Sequence, residues 1–154
     1  MSKVRQLIAL VLVSVFLLVS CKGIEKNISP KIDSDDRKLK IGFCFDSFVI
    51  ERWQKDRDVF VTVAKGLGAD VNVQNANGDV ETQKKQIEYF IEEQMDAIVI
   101  IAIDGFDLVE EVAQAKKEGI TVIAYDRLIC NADVDLYISF DNSKVGQLMG
   151  QAMV

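Results

Sequence analysis

Past residue 38 the apolar positions of this chain switch repeatedly between a strand-like and a helix-like period. Leu39 to Phe45 (LKIGFCF) is a short, mostly apolar run that stops at Asp46 and predicts a first strand. From Glu51 to Leu67 the residues Trp53, Phe60, Ala64 and Leu67 share one face of a helix, and Gly68 supplies a C-terminal stop. Ala69, Val71 and Val73 then alternate with Asp70, Asn72 and Gln74, the pattern of a half-exposed strand near a sheet edge. Asn77-Gly78 marks a turn, and Asp79 is placed to cap a helix to about Gln94 that faces Ile87, Phe90 and Ile91 inward. Ala97 to Ile103 (AIVIIAI) is apolar throughout, as a strand covered on both faces would be. A helix from about Phe106 to Glu118, a strand from Ile120 to Tyr125 and another from Leu136 to Phe140 follow. Asp141 or Asn142 then opens a last helix, within which the chain stops at Val154. This alternation predicts an α/β domain with a parallel sheet flanked by helices on both faces.

Ligands of such sheets collect at the C-terminal ends of the strands, beside the point where strand order reverses. The segments expected there are 46–53, 74–79, 104–105, 126–133 and 141–142. Two pairs stand out among them: Asp126-Arg127 directly after the fourth strand, and Arg52-Trp53 just past the loop after the first. A guanidinium only donates hydrogen bonds and an ionised carboxylate only accepts them, so together they match the hydroxyls of a sugar, which do both. Trp53 could stack on the C–H face of such a ring. Plainer roles stand beside these: Asp126 and Arg127 pairing with one another or capping a helix, Trp53 in the core with the rest of its apolar stripe, and Asp141 and Asn142 as helix caps.

The N-terminus has a different character. Lys3 and Arg5 precede an apolar run from Leu7 to Val19, which ends in Leu18-Val19-Ser20-Cys21. A run of 13 residues is short against the roughly 20 of a comfortable membrane span. We read residues 1–20 as a signal peptide and the segment before Cys21 as resembling a lipobox, which implies lipid on the Cys21 thiol. An ordinary signal peptide or an uncleaved anchor with an incidental cysteine is the plainer reading. All of these place the domain outside the cytoplasm. Residues 21–38 are polar, carry Pro30 and three aspartates, and read as a flexible tether. The folded part is expected over 39–154.

Composition narrows the chemistry. Hydrophobic residues make up 49% of the 154, enough for a folded core. The net charge of −6 is spread along the chain and offers no basic face to nucleic acid. With no histidine, a Ser–His–Asp triad and a histidine-ligated metal are excluded. Cys21, Cys44 and Cys130 form no C-x-x-C pair; Cys44 reads as a small buried hydrophobe, and a Cys44–Cys130 disulfide is neither required nor forbidden. Gly66-Leu67-Gly68 lacks the third glycine of a dinucleotide fingerprint, and no phosphate loop is present. Asp46, Asp104 and Lys144 are loosely similar in layout to a phosphorylatable receiver domain, a cytoplasmic type that an export signal argues against.

Several runs resemble a known family: Glu51-Arg52-Trp53-Gln54-Lys55-Asp56-Arg57-Asp58, Gln74-Asn75-Ala76-Asn77-Gly78, Glu81-Thr82-Gln83, Ala124-Tyr125-Asp126-Arg127 and Tyr137-Ile138-Ser139-Phe140-Asp141-Asn142. Over about Lys40 to Val154 the chain is similar to the type I periplasmic sugar-binding proteins. Asp-Arg after the fourth strand marks that superfamily at large; the E-R-W-Q-K-D-R-D run points to the D-xylose-binding lipoproteins of ABC importers. The resemblance implies a flavodoxin-like first lobe, with Arg52, Asp126 and Arg127 binding the hydroxyls of a monosaccharide, a pentose such as D-xylose, and Trp53 beside them. It implies no catalytic residue, metal or cofactor. Partners would be an ABC permease or, in the alternative, a sensor kinase or chemoreceptor, with the membrane reached through the lipid. An enzyme on the same fold is a third reading, disfavoured by the missing motifs. Family members close two hinged lobes around the sugar. The second lobe and the late segment that completes the first are expected to be absent from this sequence.

Overall fold

The computed structural model describes residues 37–154. The expected signal peptide, Cys21 and the tether up to residue 36 lie outside the described residues. The chain runs β1 (Lys40–Phe45), α1 (Glu51–Gly66), β2 (Asp70–Asn75), α2 (Val80–Glu92), β3 (Ala97–Ile100), α3 (Val109–Lys117), β4 (Thr121–Tyr125), β5 (Leu136–Ile138) and α4 (Asn142–Ala152). The strands form one sheet in the order β2-β1-β3-β4-β5, and every neighbouring pair is parallel.

Side-chain alternation along the strands splits the core in two. Cys44, Ile98, Ile100, Val122 and Ala124 face α2 and α3, where they meet Ile87, Phe90, Val112 and Ala115. Their strand neighbours Phe43, Phe45, Val99 and Ile101, with Ile123 and Tyr125 partly buried, face the other way and meet Trp53 and Phe60 of α1. Helices on both faces of a parallel sheet are the architecture the periodicity predicts. β2 lies at an edge, as its alternation requires.

Local signals act where expected. Gly68 takes φ 90° and its N–H donates to the Lys65 carbonyl at 3.0 Å, ending α1. Asn77 and Gly78 are both left-handed, at φ 53° and 77°. Asp79 caps α2 by accepting from the Thr82 N–H at 2.6 Å, and Asp141 caps α4 by accepting from the Lys144 N–H at 2.9 Å.

β5 ends at Ile138 rather than Phe140, and three further expectations shift, each for a physical reason. Leu67 is 84% exposed rather than on the buried stripe of α1, because it lies past the last turn, where the backbone is already leaving the helix. The ladder of β3 ends at Ile100, although Ile101 and Ala102 remain buried. There the buried Gln83 amide replaces a neighbouring strand: Nε2 donates to the Ile101 carbonyl at 2.9 Å and Oε1 accepts from the Ile103 N–H at 2.9 Å. α3 begins at Val109 rather than Phe106, since Asp104 Oδ1 accepts from the Phe106 N–H at 2.7 Å and holds that stretch as a turn.

The segment just before β1 is held by Asp96, which immediately precedes β3. Arg37 pairs through both terminal nitrogens with Asp96, at 2.6 and 3.1 Å, and the Lys40 N–H donates to the same carboxylate at 2.7 Å. Cys44 is buried and donates to Gln86 Oε1 at 3.1 Å; both Cys44 and Cys130 are free thiols.

Candidate ligand-binding site

The chain leaves β1 toward β2 on one side and returns to β3 on the other, so strand order reverses between β1 and β3. At such a point the two flanking connections diverge and leave a crevice at the C-terminal ends of the strands. Arg127 reaches into it from the end of β4. Its Nη1 donates to Asp46 Oδ2, just past β1, at 2.8 Å and to the Ala102 carbonyl, just past β3, at 2.9 Å. Its guanidinium carbon lies 4.9 Å from the centroid of the Trp53 ring, in cation–π range. One side chain thus ties together the ends of three strands and the first turn of α1.

Asp126 owes its direction to the backbone. It takes φ 64°, a left-handed conformation that costs an L-residue roughly 1–3 kcal/mol and tends to be kept at functional sites. The Arg127 N–H closes back on the Tyr125 carbonyl at 2.7 Å, and the Asp126 N–H donates to the Ile138 carbonyl at 2.8 Å. Ser139 Oγ donates to the Asp126 carbonyl at 3.1 Å. So fixed, the Asp126 carboxylate accepts from Arg52 Nη2 at 2.8 Å through Oδ1. Arg52 also donates from Nη1 to Asp56 Oδ2 at 3.4 Å, and its guanidinium lies 5.0 Å from the Phe140 ring centroid.

The structure therefore brings Arg52, Asp126 and Arg127 to one rim. Asp126 and Arg127 do not pair with each other; each takes a partner from an earlier loop or helix. Trp53 lies beneath the rim, 1% exposed, with its ring against Arg127 and its Nε1–H meeting no acceptor among the described residues. Side-chain exposures of 39% for both arginines and 17% for Asp126 leave the cluster half-buried but open. The hydrogen bonds engage Nη1 of Arg127, both terminal nitrogens of Arg52 and Oδ1 of Asp126. Nε and Nη2 of Arg127, Nε of Arg52 and Oδ2 of Asp126 make none among the described residues. The rim thus presents free donors beside a free acceptor.

Electrostatics favour the charged form of Arg52. Partial burial works against the Arg52 cation, but the hydrogen bond and charge of Asp126, helped by Asp56, outweigh it and raise its pKa. Burial, with the hydrogen bond to Asp56, pushes the Tyr125 phenol up to about 12, so its OH remains a donor, to Asp56 Oδ2 at 2.8 Å. Burial likewise pushes the Cys44 thiol up to about 12, far from a nucleophile's range.

Asp46, Asp56, Tyr125 and Phe140 belong to the cluster although sequence reasoning gave them no part in binding. Asp56 carried a signal, since it stands four residues after Arg52 on one helix face. Asp46 and Phe140 carried only their positions at strand ends. A separate hollow of about 240 Å³, lined by Lys84, Phe106, Asp107, Val109, Glu110 and Glu111, shares no residue with the rim.

Comparisons with known proteins agree with this fold. The chain is 54% identical over 138 residues to the D-xylose-binding periplasmic protein of Escherichia coli strain K12, a match covering 90% of this chain and 41% of the relative. It is 53% identical over 118 residues to the D-xylose-binding periplasmic protein of Haemophilus influenzae, covering 77% of this chain and 36% of the relative. The chain thus spans roughly two fifths of the length of these curated relatives. Among solved structures, an ABC transporter solute binding protein from Clostridium phytofermentans with bound β-D-glucose superposes with a TM-score of 0.71 at 41% identity, over 73% of this chain and 35% of that one. Residues 41–154 match the family described as periplasmic binding protein domain. With a parallel sheet of that type and a match over most of its length, the chain belongs to the periplasmic binding protein domain family.

Proposed function

We propose that this lobe contributes half of a monosaccharide site in an extracytoplasmic binding protein, that D-xylose is the ligand, and that the whole protein delivers it to an ABC importer. The observation that carries this is the rim where Arg52, Asp126 and Arg127 meet with donors and an acceptor still open. Vicinal hydroxyls donate and accept at once and match such a mixed edge, and hydrogen bonds with one charged partner are the stronger kind. The names of the two relatives at 54% and 53% identity support xylose over other sugars. No proton transfer or bond cleavage is needed for this task, and among the described residues the rim places no activated nucleophile near the arginines.

Calorimetry on the full gene product tests it. D-xylose should bind, and Arg127→Ala should weaken binding by about 1.5–3 kcal/mol, the usual loss for a hydrogen bond to a charged group. Unchanged affinity in Arg127→Ala removes the sugar role from this rim.

The export reading belongs to the same proposal: cleavage before Cys21 leaves a thiol that carries lipid, and the polar residues after it hold the lobe off the membrane. A tagged fatty acid fed to cells should label the wild type and not Cys21→Ala. Equal labelling of both defeats the anchor.

A further inference from the structure

Arg52 does not stand alone on α1. Asp56, one turn later on the same face, shares its Oδ2 between Arg52 Nη1 at 3.4 Å and the Tyr125 OH at 2.8 Å. Tyr125 is the last residue of β4 and precedes Asp126, which takes Arg52 Nη2 at 2.8 Å. The last residue of β4, the residue that follows it and two residues of α1 therefore close a ring: Tyr125 to Asp56, Asp56 to Arg52, Arg52 to Asp126, and Asp126 back to Tyr125 through the backbone. Successive strand residues ordinarily point to opposite sides of a sheet. The left-handed turn at Asp126, φ 64°, is what lets both address α1.

The ring has a specific consequence for a guanidinium. Its planar fork is directional, so a ligand reads its orientation as well as its charge. Two carboxylates on two different elements, with the Phe140 ring 5.0 Å away, set the plane of that fork. For packing alone, phenylalanine would serve at position 125, whose ring meets Phe43 edge-on at 6.2 Å. The hydroxyl adds only its bond to Asp56.

We infer that Asp56 and Tyr125 are positioning residues of the sugar site, holding the Arg52 guanidinium in its ligand-ready orientation without touching the ligand. This rests on the monosaccharide reading above. The test is a cycle of variants in the full gene product, with monosaccharide affinity measured by calorimetry and melting temperature measured alongside. Tyr125→Phe should weaken D-xylose binding roughly three- to tenfold, as expected for one lost hydrogen bond acting through a neighbour. In an Arg52→Lys background, where no planar fork remains to orient, the same change should alter affinity less than about twofold. Asp56→Asn reads the link from its other end and should behave alike, so a folding failure in one variant leaves the other to decide. A full loss persisting in the Arg52→Lys background, or none in the wild-type background, overturns the inference. If wild type binds and Arg127→Ala weakens it while Tyr125→Phe does not, the positioning role falls and the sugar reading stands. If wild type binds no monosaccharide, both fall.

Discussion

Arg127 shows how much one side chain can settle at a strand end. Its contacts to Asp46, the Ala102 carbonyl and the Trp53 face leave little freedom to the guanidinium, so the donors it still holds point from a rigid seat. A site built that way loses less entropy on binding than one built on mobile side chains. Trp53 contributes from below, and its place on the apolar stripe of α1 already spoke for burial. The adjacent Asp126 and Arg127 were harder to read. Adjacency made mutual pairing a fair expectation, and the left-handed backbone at Asp126 is what separates them. At Gly42, in the middle of β1, a methyl group would stand 2.6 Å from the Phe90 ring, which is itself fully buried. Gly42→Ala should therefore destabilise the fold by about 1–3 kcal/mol through overpacking. A urea midpoint equal to wild type would show that Phe90 can give way.

Between elements, the decisive join is that of β4 with α1. Tyr125, Asp56, Arg52 and Asp126 cross it with polar groups, while Phe43, Phe45 and Trp53 fill the space beneath. The pH dependence of that join has a definite sign. The Tyr125 phenol has its pKa raised from 10.0 to about 12 by burial and by Asp56. Between those values the unfolded chain loses the proton while the folded chain keeps it. The link thus contributes fully below about pH 10 and is lost as pH rises toward 12. Urea midpoints followed over that range should fall more steeply for wild type than for Tyr125→Phe; parallel curves would show that the hydroxyl is not coupled to folding. The elements themselves were largely legible, because helix and strand periods differ and Gly68, Asp79 and Asp141 mark ends by local chemistry. Their exact ends were not. Gln83 ended the β3 ladder from the preceding helix, and no period within Ala97 to Ile103 encodes that.

For the molecule as a whole, the sheet is covered by α1 on one face and by α2 and α3 on the other, while β5 and α4 bury no residue among those described. Exposed Leu136, Phe140, Leu148 and Met149 make that end the least packed part of the lobe. Strand and helix alternation, the parallel sheet and the edges where ligands gather follow from local periodicity, since each depends only on residues near one another along the chain. The identity of the rim pairs does not. Arg127 meets Asp46 across 81 positions and Arg52 meets Asp126 across 74. Contacts of that span arise when strand order reverses between β1 and β3, which is a property of how separate segments stack and is invisible to any window along the sequence.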